Sequence, residues 1–148
     1  MSGLPPDPCT GDRFTVEVTG YGTIDVTEVA GLEATVGSRT ESRVPGLPRW
    51  LVGERTVRDA VSPSLVLTRG VARETPLRDW FDDWVAETVG RRTVVVALLD
   101  HDGLPAVRWT CERAYPTRWT GPRLRAARRA VATESLELAH DGVEQLSP

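Results

Sequence analysis

Lysine is missing from this chain. All 18 basic residues are arginine, a bias that fits GC-rich coding and also suits interfaces, because a guanidinium pairs bidentately with carboxylates. Cysteine and histidine are scarce, at two residues each. Two cysteines do not make a disulfide scaffold, so a reducing compartment is expected, with Cys9 a thiol in a Pro-rich arm and Cys111 a core thiol. Two histidines far apart in sequence do not suggest a metal site, and His101, between Asp100 and Asp102, is read as part of a hydrated turn. No P-loop, HExxH pattern or nucleophile elbow is present. The chain is therefore expected not to be an enzyme and to need no cofactor or metal. No apolar run approaches the length of a membrane span, so no membrane insertion is expected. The first residues have neither a basic n-region nor an apolar h-region, which predicts no secretion signal. The net charge of −3 is too small to name a partner.

What is present is enough for one domain. Over 148 residues, 40% are hydrophobic and 26% charged, a balance that folds around a single core. Met1–Asp12 is rich in Pro and Gly and predicts a flexible arm. Phe14, Val16 and Val18 alternate with polar residues and predict a half-buried strand. Gly20-Tyr21-Gly22 is read as a turn, since a lone GxG with no helix after it is a poor phosphate loop. Thr23–Val36 reads as extended chain broken at Gly31. Gly37–Pro63 carries mixed charges, three prolines and two further glycines without strong periodicity, and predicts a long loop that is functional rather than part of the core. Ser64–Val71 returns to strand character.

Thr75–Gly90 predicts a helix, with Thr75 as N-cap, Pro76 at the first position and Gly90 as the stop. Leu77, Trp80, Phe81, Trp84 and Val85 recur at helical spacing and predict a core stripe, while Asp79, Asp82, Asp83 and Glu87 fall mostly on the opposite side. Asp82 and Asp83 are adjacent and point in different directions, so they cannot share a substrate.

The stretch that organises the chain is 92–115. Thr93–Leu99 is a β-branched and aliphatic run and predicts a strand buried on both sides. Asp102-Gly103 predicts a hairpin turn. Val107, Trp109, Cys111 and Tyr115 then alternate with Arg108, Thr110 and Glu112, the pattern of a strand with one dry and one wet face. Pro116, Gly121 and Pro122 are read as turns. Arg123, Arg125, Arg128 and Arg129 form a basic cluster, read as solvated or interfacial because the chain is acidic overall and only Trp119 is near enough to stack a base, so no sequence-specific nucleic-acid binding is expected. In the last strand, within 131–140, Leu136 and Leu138 oppose Thr133, Ser135 and Glu137. Asp141–Pro148 reads as a polar tail. The order of elements predicts a mainly β domain, two packed antiparallel sheets in a barrel-like arrangement with one helix across them.

Seven short stretches carry a resemblance. Val29-Ala30-Gly31-Leu32-Glu33 is similar to the SGLE motif of contractile-tail inner tube proteins, Arg43-Val44-Pro45-Gly46-Leu47 to their R-K-L-P-G, and Leu67-Thr68-Arg69-Gly70-Val71 to their L-K-R-G-V. Leu77–Trp84 resembles their L-x-x-W helix. Val96–Gly103 followed by Arg108-Trp109 resembles LLDxxGxxxxRW. Ala114-Tyr115-Pro116 through Thr120-Gly121-Pro122 and Leu124 resembles A-x-P-x-K-x-x-GP-x-L, and Glu134–Gly142 resembles E-x-LELxHEG. None is specific alone, but all seven come in the same order over Phe14–Glu144.

The resemblance is to the tube proteins of contractile phages and extracellular contractile injection systems, related in fold to the haemolysin-coregulated protein of type VI secretion. It implies a homo-oligomer of stacked hexameric rings around a cargo channel, inside a sheath, with baseplate, spike and tube-terminating partners. It also implies assembly in the cytoplasm as part of such a particle. Under it, the wet strand positions Arg108, Thr110, Glu112, Thr133, Ser135 and Glu137 are the expected lumen lining. The family's loop at 37–63 reaches the adjacent ring, which makes Arg43, Arg49, Trp50, Leu51, Glu54, Arg55 and Arg58 the expected stacking residues. This chain departs from the family by a longer stretch between Leu47 and Leu65, which keeps open a tube-initiating or terminal adaptor role. A monomeric β-sandwich binding module is the alternative of another class.

Overall fold

The computed structural model describes residues 8–61 and 64–147. Its main feature is an antiparallel sheet of eight strands built around β8, Pro105–Thr120. The first half of β8 pairs with β7, Arg92–Leu99, and the second with β9, Thr133–Ala139. Outward from β7 come β1, Phe14–Val18, and β2, Gly22–Ile24. Outward from β9 come β6, Leu65–Gly70, and β3, Glu28–Ala30. The two packed sheets expected from the pattern are thus two halves of one sheet, joined through β8. A last short strand, β10, Val143–Leu146, pairs with the first half of β8. The polar tail expected there is a strand.

Both halves turn their apolar faces to one cluster. Val16, Val18, Val94, Val96 and Cys111 enter it from one half, and Leu65, Leu67, Leu136 and Leu138 from the other. Period-two alternation places them there, because side chains i and i+2 share a face. The strand expected to be buried on both sides, β7, is only partly so: Val94, Val96 and Ala97 are buried but Val95 is half-exposed.

Helix α2, Pro76–Val85, packs over β8 and β9. Its start departs from the expected cap. The Thr75 hydroxyl donates to Asp79 Oδ1 at 3.0 Å and caps no backbone amide. It also ends before Gly90, because Glu87 takes φ 58° and the Glu87 and Thr88 amides close back onto Trp84 and Asp83 carbonyls, a left-handed stop of the kind that satisfies the last carbonyls.

One of the register shifts along β8 corrects the face assignment made from alternation. Arg92 faces Ala114 but Val94 faces Cys111, so Glu112 and Arg113 together oppose one residue, and Arg113 takes φ 54°. One extra residue flips every side chain beyond it. Ala114 and Pro116 therefore join Cys111 in the interior, and Tyr115 does not. Further shifts lie where Leu98 and Leu99 face Val107 and Pro105, and between Pro116 and Arg118. Pro116, expected in a turn, is inside the strand.

The segment 37–63 also differs from expectation. It forms a two-stranded ribbon: β4, Thr35–Ser42, and β5, Glu54–Val61, pair over eight residues from Thr35↔Val61 to Ser42↔Glu54. A short helix, α1, Arg49–Val52, lies at its tip. The end of the expected loop, Ser62 and Pro63, and the first seven residues of the expected arm lie outside the described residues.

Candidate assembly surfaces

The six wet strand positions fall into two sets. Arg108, Thr110 and Glu112 lie on the first half of β8, in register with Ala97 and Val95 of β7 and with Leu146 and Glu144 of β10. Thr93 Oγ1 donates to Glu112 Oε2 at 3.3 Å. Thr133, Ser135 and Glu137 lie on β9, in register with Gly70, Thr68 and Val66 of β6. The hydroxyls of Ser135 and Thr68 are 3.3 Å apart. Because both halves of the sheet bury their other face in the same cluster, the two wet faces point away from a shared core and leave the protomer on different sides.

The helix stripe is narrower than expected. Leu77 and Trp80 are fully buried, and Phe81 packs partly buried against the cluster. Tyr21 lies beside Trp80, with ring centroids 5.8 Å apart. Trp84 is half-buried and stacks on Tyr115 at 4.9 Å. Val85, expected in the core, is 65% exposed, since the helix ends there. Arg78 lies over the rings of Trp119 and Phe81, at 4.7 and 5.6 Å, and pairs with Asp82.

The ribbon gathers the other candidates. Among the described residues β4 and β5 pair only with each other. The turn connection is held from within: Arg49 Nη2 donates to the Thr40 carbonyl at 2.9 Å, Arg43 Nε to the Glu54 carbonyl at 3.2 Å, and Ser42 Oγ to the Val44 carbonyl at 2.9 Å. Arg55 donates to Glu41 Oε1 through Nε at 2.9 Å, and Arg49 lies 3.8 Å from Glu54. Arg58 is on β5, opposite Ser38. Trp50 is 85% exposed and Leu51 is exposed beside it. Trp and Arg are residue types that commonly anchor protein contacts.

Two features were not foreseen from the sequence. Arg69 and Glu134 face each other across β6 and β9 and are only 8% and 4% exposed. Tyr21 Oη donates to Asp83 Oδ2 at 2.7 Å, and burial, then Asp83, push its phenol up to about 12. Burial likewise pushes the Cys111 thiol up to about 11. Among the described residues no three His, Cys, Asp or Glu side chains gather as a metal site, and no helix is long and apolar enough to cross a membrane.

Residues 11–144 match a family model described as T4-like virus tail tube protein gp19. None of the curated proteins matches the chain. Among solved structures, a chain of the anti-feeding prophage baseplate, 6-fold symmetrised, is 27% identical, with 97% of this chain and 98% of that one covered and a TM-score of 0.77. A chain of the PVC sheath-tube complex of an extracellular contractile injection system, in the extended state, is 22% identical over 95% and 93% of the two chains, with a TM-score of 0.76. Hcp1 from Flavobacterium johnsoniae is 12% identical over 92% and 96%, with a TM-score of 0.55, so the fold is related to Hcp.

Proposed function

The chain belongs to the T4-like virus tail tube protein family, and from that membership we propose that it is the repeating protomer of the inner tube of a contractile injection particle. Six copies close a ring around a channel, and rings stack into the tube. The observation that carries this reading is the ribbon β4–β5. It is ordered by its own hydrogen bonds, pairs with no other strand among the described residues and exposes Trp50. A free ribbon of this length costs ordering entropy that a contact with another copy offsets. In this reading the protomer carries cargo in the channel, turns over nothing, and meets a sheath outside and a baseplate and terminator at the ends.

One of the two wet faces lines the channel. Closing the sheet against neighbouring copies also covers the edges at β2 and β3, which would otherwise invite uncontrolled pairing. The ring and stacking roles are tested together by negative-stain electron microscopy and sedimentation of the purified chain. Six-membered rings or tubes are expected. A monodisperse monomer at all concentrations would sink the reading and favour a stand-alone binding module.

A second reading, the ring that starts the tube, is favoured by one observation: the baseplate chain is 27% identical and the sheath-tube chain 22%. The two separate by copy number. A tube subunit forms long stacks by itself, whereas a starter stops at one ring.

A further inference from the structure

At the mouth between the two halves of the sheet lies a hollow of about 300 Å³. Phe14, Val29, Leu32, Leu98 and Trp109 give it an apolar wall, and Glu28 stands on its lining as the one carboxylate. That size is at the lower end of pockets that hold a ring-sized group, about 300–1,000 Å³. None of these side chains is fully buried in the core, and together they form a concave apolar patch.

We propose that this hollow is the seat for Trp50 of another copy of the chain, which rests on the reading of the chain as a stacking protomer. Three observations converge. First, Trp50 is the most exposed of the large apolar side chains, at 85%, and the ribbon fixes where it stands. Second, the chain's own tip cannot reach. Leu32 sits three residues before the root of the ribbon at Thr35, and eight paired residues carry the tip about 26 Å away. The tip contributes no residue to the lining of the hollow, so the tip that fills it in this reading is a neighbour's. Third, the hollow offers the indole a polar partner: Glu28 belongs to its lining, while the tip's own Arg43 and Arg49 are engaged within the ribbon and Arg49 lies by Glu54. An indole in an apolar pocket with a carboxylate within its lining also has an acceptor for its N–H. The contact joins two different surfaces of the same chain, so it repeats without closing on itself, as a stack requires.

The test uses the full chain in a Cys9→Ser background, with Cys111 left in place in the core. Trp50→Ala changes an exposed residue and leaves the protomer folded. It is expected to keep single rings and to weaken each ring-to-ring contact at least about 30-fold, the loss of one anchor residue, read as tube length at fixed protein concentration. In the double variant Leu51→Cys, Leu32→Cys, which keeps Trp50 and uses the exposed neighbour beside it, a disulfide or short bismaleimide bridge is expected between copies in assembled tubes and none in separated rings. Tubes of wild-type length from Trp50→Ala overturn the proposal. Shortened tubes with no bridge overturn the hollow as the seat. A wild-type chain that never forms rings overturns the protomer reading itself, and this proposal with it.

Discussion

Gly31 packs its bare α-carbon against the carbonyl of Ser64, so closely that a β-carbon at position 31 would collide with that oxygen. Gly31 also takes φ 94°, a conformation that L side chains rarely adopt. The contact pins the end of β3 to the start of β6, where the chain leaves the sheet for the ribbon and returns to it.

Gly31→Ala is therefore expected to lose the folded protomer or to destabilise it by more than about 3 kcal/mol, through strain and backbone displacement together. Gly46→Ala is the matched control, with φ 87° but open space around it, and should cost about 1–2 kcal/mol. Urea unfolding of both variants measures this. Equal midpoints would show that the close approach to Ser64 contributes nothing.

The helix stripe should split by burial. Trp80 is fully buried, and Trp80→Ala is expected to cost about 3–5 kcal/mol. Trp84 has one covered face, against Tyr115, and its loss should cost about half as much. Val85→Ala, at an exposed position, should fall within about 0.5 kcal/mol of wild type. A Val85 effect as large as that of Trp80 would mean the helix extends further over the core than its end at Val85 allows.

Tyr21 gives the protomer an alkaline signature. The unfolded phenol ionises near about 10, and the folded one is pushed up to about 12. The neutral form, which donates to Asp83, is the one the fold favours. Its stabilisation is complete below pH ~10 and is lost as the pH rises through about 12. Tyr21→Phe is expected to cost about 1 kcal/mol at neutral pH and to unfold with a shallower dependence on pH between 10 and 12. Chemical unfolding midpoints of both proteins across that window decide it; parallel curves would remove Tyr21 as the source.

The two thiols should react in sequence. Cys9 is partly exposed and Cys111 is buried, with its thiol pushed up to about 11. An aromatic disulfide reagent at pH 8 is expected to modify one thiol per native chain quickly and the second only at the rate of unfolding. Rapid modification of both would show that the first half of β8 opens to solvent.

The wet faces can be told apart in the assembly. Cysteine at Thr110 and at Ser135, each in a Cys9→Ser tube, should respond oppositely to a bulky maleimide too large for the channel, since the faces leave the protomer on different sides. Equal labelling of both would mean that neither face lines a closed channel.

Much of this fold is legible in local pattern. The alternation of Leu136 and Leu138 with Ser135 and Glu137 marks β9, and the spacing of Leu77 and Trp80 marks the buried side of the helix. What escaped the sequence had no local signal. Among the described side chains, Val36 on the ribbon and Leu51 at its tip are exposed, so they give no buried stripe to set a period. The bulge at Glu112 and Arg113 is defined by the strand opposite, so Tyr115 reads as interior until β7 is known to pair there. Pro116 reads as a turn because proline usually interrupts a ladder, yet next to a bulge it can remain in the strand. The surface candidates are legible as kinds of residue, wet strand positions and bare aromatics. Their grouping into two faces, a tip and a hollow depends on pairings between distant parts of the chain.

The central place of β8 also sets the order in which the chain can fold. β1 waits for β7, some 80 residues later, and β6 waits for β9 across the whole of α2, β7 and β8. Such long loop closures slow folding relative to local structure. The ribbon needs only residues within 35–61, and hairpins of that kind close in about 1–10 μs. During synthesis the ribbon is therefore expected to form while the body it belongs to is still open. Pulsed hydrogen exchange during refolding should show protection in β4 and β5 before β8. The reverse order would mean that the main sheet templates the ribbon.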